Sequence, residues 1–156
     1  VVLDADGLNL LAKHEAWYPM LAGHAIVTPH MGEMSRLTGK SIAVLKADRA
    51  EAAKEFAKKR RMVCVLKDSS TVVSDGVAVY FNCSGNHGMA TGGSGDILSG
   101  VIGALLGAGM DLFKAAYMGV YLHGCAGDAA AERFGARGMT GVEIIEGLLE
   151  VLKNLN

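Results

Sequence analysis

Residues Gly88 to Asp96 read Gly-Met-Ala-Thr-Gly-Gly-Ser-Gly-Asp and run directly into an apolar stretch. Four of these nine positions are glycine, so backbone N–H groups can turn inward with no side chain in the way. The pattern from Ile97 to Met110 predicts a helix, and its unpaired first-turn amides and partial positive charge open at the glycines. That combination suits a phosphate. Asp96 falls in the first turn of that helix, where it would lie beside a bound phosphate and within reach of the proton on an attacking hydroxyl. The same position also suits a plain helix-start carboxylate, which the helix dipole favours.

Other polar groups stand after strand-like runs. Thr28-Pro29-His30-Met31-Gly32-Glu33 follows one of them: Pro29 halts the strand and Glu33 enters the first turn of a short helix. There a carboxylate can hold magnesium through water while His30 meets a substrate, or it can simply balance the helix dipole. Lys67 directly follows the run Met62 to Leu66, placed either to meet a phosphate as a point charge or to sit as an ordinary surface lysine. Asp4 and Asp6 flank Ala5, and alternate residues of an extended chain face opposite ways, so one of them can cap the helix that follows. Gly39-Lys40-Ser41 lacks the glycine a phosphate-binding P-loop requires, because Met34 stands there. His14, His24, His87 and His123 lack the spacing of metal ligands, and His123 reads as a packed residue of a helix.

The elements that must position these groups follow from hydrophobic patterning. Strands are expected at Val1–Leu3, Ala25–Val27, Met62–Leu66, Thr71–Ser74 and Val77–Phe81, with Asp75-Gly76 marking a hairpin. Helices are expected at Leu8–Lys13, at Asp48–Arg61 with Asp48 as its cap, and then at Ile97–Leu106, Leu112–Arg133 and Val142–Leu155. Alternating strands and helices favour a parallel sheet covered by helices, and ligands of such sheets gather beyond the carboxyl ends of the strands. Asp4 to Asp6, Thr28 to His30 and Lys67-Asp68 should therefore meet the glycine loop along one edge.

Composition narrows the class. The chain has 156 residues, 51% of them hydrophobic, with 15 basic against 16 acidic side chains. That is enough for one domain with a real core, and it carries no nucleic-acid or membrane-surface footprint. Lys58-Lys59-Arg60-Arg61 is expected to close a helix as a solvated turn. Cys64, Cys83 and Cys125 form no CxxC pair and suit buried free thiols in a reducing cytoplasm. The apolar stretch after Asp96 is too short to span a bilayer. Val1-Val2-Leu3 reads as a buried strand, so a preceding part of the domain is expected outside this sequence.

Five stretches together resemble one family: Leu3-Asp4-Ala5-Asp6-Gly7-Leu8-Asn9, Thr28 to Glu33, Val65-Leu66-Lys67 with Thr71, Gly85 to Gly100, and Val120-Tyr121-Leu122-His123-Gly124. In this order they are similar to the ADP- or ATP-dependent NAD(P)H-hydrate dehydratases of the ribokinase-like superfamily. Gly-Ser-Gly-Asp alone would indicate only the wider superfamily. The resemblance implies a three-layer α/β/α sandwich with a mostly parallel sheet, of which residues 1–156 form the C-terminal portion of a single domain. It implies dehydration of hydrated NADH and NADPH driven by an adenine nucleotide, in the manner of the bacterial, ADP-using branch, with magnesium and a homotetramer.

By the same resemblance, His30, Asn9 and Asp96 contact the hydrated dinucleotide. Lys67, Asp68, Ser69, Ser70, Thr71 and Gly95 hold ADP or ATP, Glu33 supports magnesium indirectly, and amides of Gly93, Ser94 and Gly95 face the transferring group with Asp96 as base. Met31 and His87 stand where the family usually has Pro, and Asp68 where it has Gly; the extra carboxylate predicts weakened nucleotide affinity. A ribokinase-like kinase for a small vitamin precursor, or an inactive truncated nucleotide-binding module, would carry the same glycine loop.

Overall fold

The computed structural model describes residues 1–154, so the end of the last expected helix, at Leu155, lies outside the described residues. Strands β1 (Val2–Leu3), β2 (Ile26–Val27), β3 (Val63–Leu66), β4 (Val72–Ser74) and β5 (Val79–Phe81) lie side by side in chain order. β1, β2 and β3 pair in parallel, whereas β3, β4 and β5 pair antiparallel. The sheet is therefore mixed, parallel where helical crossovers connect the strands and antiparallel where the short Asp75-Gly76 hairpin does. Asp75 accepts from the N–H groups of Val77 and Ala78, both at 2.8 Å, which draws those residues into the turn and delays β5 to Val79. Gly76 has φ of 97° there, and a Cβ would meet the Lys58 backbone at 2.7 Å.

Helices α1 (Ala5–Lys13), α2 (Tyr18–Leu21), α3 (Met31–Thr38), α4 (Ile42–Ala47) and α5 (Arg49–Arg60) precede β3; α6 (Ser94–Gly107), α7 (Leu112–Phe134) and α8 (Gly141–Lys153) follow β5. The period-two alternation of the strands decides which layer each residue joins. Val27, Cys64, Leu66 and Val72 pack with Leu8, Leu11, Met34, Leu45 and Phe56 on one face. Ile26, Val63, Val65 and Val73 pack with Leu98, Ile102, Ala116 and Val120 on the other. The result is the expected α/β/α sandwich, with α8 docked on α7 through Ala126, Ala130 and Ile144.

Local differences from the sequence reading have identifiable causes. The short helix α4 is opened by Ser41, whose hydroxyl accepts from Val44 N–H at 3.4 Å. α6 ends at Gly107, one residue past the expected Leu106, and the apolar run beyond it to Met110 is broken at Gly109 with φ of 92°. Arg60 is not part of a solvated turn: its guanidinium lies 3.6 Å from the Tyr18 ring centroid and pairs with Glu15 at 2.9 Å. The three cysteines are free, but only Cys64 is buried, its thiol pushed up by desolvation, while Cys83 is exposed. None of the described helices is long and apolar enough to cross a membrane.

Candidate functional site

The parallel half of the sheet delivers its strand ends to one edge. Asp4 caps α1 with Oδ1 accepting from Ala5 N–H at 2.8 Å. The same carboxylate accepts from Lys67 Nζ at 2.8 Å and, through Oδ2, from Ser99 Oγ at 3.0 Å. The ends of β1 and β3 are thus joined to α6 by one half-buried group. Burial raises the Asp4 carboxyl, but the Lys67 ammonium and the hydrogen bonds from Ala5 and Ser99 outweigh it and hold it below the usual carboxylate range. Asp6 stays exposed and accepts only a long 3.4 Å contact from Asn9.

His30 follows β2 and caps α3. Its Nδ1 accepts from Gly32 and Glu33 N–H at 2.9 and 3.2 Å, while Glu33 Oε2 accepts from His30 N–H at 2.8 Å. This capping box takes up the buried Glu33; its other oxygen lies 3.5 Å from His30 Nε2. His30 and Lys67 form a parallel bridge, and Lys67 N–H donates to Pro29 O at 2.8 Å, so the loops after β2 and β3 run together.

α6 begins at Ser94, with Gly93 as its cap at φ of 84°. Ser94 N–H donates to Thr91 O at 3.4 Å, which leaves the first turn to open through Gly95 and Asp96. A Cβ on Gly95 would stand 3.5 Å from both Asp4 Oδ2 and Lys67 Nζ. Beneath this turn lies His123 from α7, only 8% exposed, with Nε2 3.4 Å from Ser94 Oγ. Burial, aided by the charge of Lys67, pushes its imidazole down to about 4, so it is neutral at physiological pH.

These groups border a cavity of about 1100 Å³ whose lining includes His30, Lys67, Asp68, Ser94, Gly95 and His123. Ser69 and Thr71 also line it, whereas Ser70 is turned away, its hydroxyl donating to Asn82 O at 3.1 Å. Asp96 and Gly93 are exposed outside that lining, and Asn9 lies apart from it, accepting from Arg36 Nε at 2.9 Å. The cavity and the Asp96 face are therefore two sides of one helix start. Among the described residues no three His, Cys, Asp or Glu side chains converge to hold a metal.

Arg49, at the start of α5, pairs with Asp68 at 3.4 Å and donates to Ser70 O at 3.3 Å. The far wall is anchored to α7: Asp128 accepts from Gly85 N–H at 2.8 Å and from Asn86 Nδ2 at 3.0 Å. Met31 and His87 occupy the first positions of α3 and of the short 3₁₀ turn His87–Met89. Proline is tolerated at such positions because their N–H has no intrahelical partner, so its replacement leaves both turns intact.

A profile of NAD(P)H-hydrate dehydratases matches residues 1–149. The chain belongs to the NAD(P)H-hydrate dehydratase family. It is 46% identical over 157 aligned positions to the bifunctional NAD(P)H-hydrate repair enzyme of Thermofilum pendens, covering 99% of this chain and 30% of that protein. It is 43% identical to the ADP-dependent (S)-NAD(P)H-hydrate dehydratase of Neisseria meningitidis, covering 92% of this chain and 50% of that one. The Bacillus subtilis ADP/ATP-dependent NAD(P)H-hydrate dehydratase, co-crystallised with ATP and Mg2+, superposes with a TM-score of 0.85 at 32% identity, over 100% of this chain and 55% of the other. This dehydratase-family chain thus spans about half the length of its single-function relatives and less than a third of the bifunctional one.

Sequence reasoning placed the loops of this dehydratase fold but missed several supports. The alternation of Asp4 and Asp6 hinted that one would cap α1, yet nothing local showed that Asp4 also takes Lys67. Arg49, Asn82 and Asp128 carry no motif; only the folded chain sets Asn82 in the cavity wall and places Arg49 and Asp128 behind Asp68 and Asn86.

Proposed function

We propose that this chain carries the nucleotide-binding and base-bearing portion of an ADP- or ATP-dependent dehydratase acting on the S form of hydrated NADH and NADPH. The observation that carries this reading is the meeting of Lys67 Nζ, Gly95 and the first turn of α6 at the cavity, with Asp96 exposed on the same turn. Phosphates of the nucleotide fit where Lys67 supplies charge and the amides at Gly93, Ser94 and Gly95 supply dipoles, with Ser94 N–H first released from Thr91. Asp68, Ser69, Ser70 and Thr71 form the loop beside the nucleotide. His30 and Asn9, with Asp96, face the hydrated dinucleotide.

Asp96 takes the proton of the ring hydroxyl as its oxygen attacks the terminal phosphorus, and the bond to the nucleotide's leaving phosphate breaks. The ring phosphate ester then departs as inorganic phosphate, pushed by the ring nitrogen lone pair; loss of a proton from the neighbouring carbon restores the dihydronicotinamide. Magnesium supplies shielding of phosphate charge when bound. Buried Glu33, whose two oxygens face His30 N–H and Nε2 in the capping box, would support such an ion only through water. A cytoplasmic setting and a homotetramer accompany this reading.

The test is incubation with hydrated NADH, magnesium and either ADP or ATP. Recovery of NADH absorbance with stoichiometric phosphate is expected. Accumulation of a phosphorylated small molecule would replace the dehydratase with a kinase, and nucleotide binding without turnover would mark an inactive module.

A further inference from the structure

We propose that Asp4 is a positioning residue of the nucleotide site, holding the Lys67 ammonium against Gly95 at the start of α6. This rests on the reading that Lys67 and α6 receive the nucleotide phosphates. A lysine side chain has four rotatable bonds and a strongly hydrated head, so a strand-end lysine has no fixed place without a partner. Here the partner is fixed from three directions: Ala5 N–H at 2.8 Å, Ser99 Oγ at 3.0 Å and Lys67 Nζ at 2.8 Å all converge on one carboxylate. The Lys67 and Asp4 side chains are 22% and 15% exposed, which sets this pair apart from the more open Lys40–Glu55 and Arg133–Glu146 contacts.

The ammonium and its partner both reach the start of α6. Oδ2 and Nζ flank the same empty Cβ position at 3.5 Å, so the ammonium lies against bare backbone rather than behind a side chain. A phosphate approaching the α6 amides would meet Lys67 in place. Asp4 offsets part of that charge, but Lys67 has donors to spare: an ammonium has three, and Asp4 takes one. Asp4 therefore orders the cation before binding, which removes an entropy cost from the binding step.

The test compares Asp4→Asn, Ser99→Ala and Asp6→Asn with the parent protein in two readouts. The first is the rate at which acetyl N-hydroxysuccinimide acylates Lys67, followed by peptide mass spectrometry. The second is the dissociation constant of ADP and ATP measured calorimetrically. Asparagine keeps the α1 cap but removes the charge, so acylation of Lys67 should accelerate and nucleotide affinity should fall about tenfold, as befits loss of a charge-assisted hydrogen bond. Ser99→Ala should shift both in the same direction by about threefold, and Asp6→Asn should shift neither.

Unchanged Lys67 acylation in Asp4→Asn would overturn the proposal. So would tighter nucleotide binding, which would make Asp4 a competitor for the ammonium. If Asp4→Asn does not fold, Ser99→Ala decides on the same two readouts. Failure of the parent protein to bind either nucleotide would instead overturn the functional reading, while the acylation rates would still decide whether Asp4 holds Lys67.

Discussion

His123 offers a direct test of how the cavity is built. It sits on α7 beneath Ser94, 8% exposed, and its imidazole is pushed from the ordinary 6.5 down to about 4, chiefly by burial. The folded state therefore refuses a proton that the unfolded chain accepts. Above pH 6.5 the ring is neutral in both states and costs nothing. As pH falls from 6.5 toward 4 the unfolded chain gains the proton first, so stability is lost through that window and levels off below it. The difference corresponds to roughly 3 kcal/mol when fully developed, and to about 2 kcal/mol at about pH 5. Urea unfolding followed by far-ultraviolet circular dichroism would measure it, comparing the parent protein with His123→Gln at several pH values. The variant should be less stable at neutral pH, through lost packing, but its stability should fall less steeply on acidification. Parallel pH profiles, or a His123 resonance titrating near 6.5 in the folded protein, would refute the buried neutral imidazole.

Other perturbations probe the surrounding contacts. Arg49→Ala should weaken nucleotide binding about fivefold, as expected for a partly exposed ion pair of up to about 1 kcal/mol, and Asp68→Gly in the same chain should recover most of that loss; equilibrium binding across the four variants tests the coupling. Gly147→Ala would place a methyl 2.1 Å from Ala126 O, and the overpacking should cost about 1–3 kcal/mol, visible as a lowered thermal midpoint. Asp96→Asn should lower NADH recovery about 10²- to 10⁴-fold while ADP affinity is retained. Near-normal turnover in that variant would remove Asp96 from the role of base.

Legibility in the sequence followed the range of the interaction. β-branched runs and the glycine loop are local signals, and they located the strands, α6 and the cavity edge. The capping box of His30 and Glu33 was half visible: Glu33 was read at a helix start, but a histidine ring accepting two amides is not a common cap signature. Asp68 illustrates the limit more sharply. Read alone, it adds a repulsive carboxylate to the nucleotide loop; in the fold, Arg49 from another layer stands 3.4 Å away and balances it. The α4 helix was missed because its apolar residues do not form a long periodic stretch, and only Leu45 is fully buried. Arg60 was assigned to solvent because its neighbours are charged, whereas the Tyr18 ring that receives it lies 42 positions earlier.

The order of the sheet has a kinetic consequence. Every strand pairs with its neighbour in sequence, so the framework can be laid down progressively, through short loops between β3, β4 and β5 and through helical crossovers between β1, β2 and β3. The site follows another timetable. Asp4 must find Lys67 across 63 positions and Ser99 across 95, contacts that require β1, β3 and α6 to have assembled. Nucleotide binding should therefore emerge after the bulk of the circular dichroism signal during refolding, making ligand capture a sensor of the final docking of α6 rather than of sheet formation.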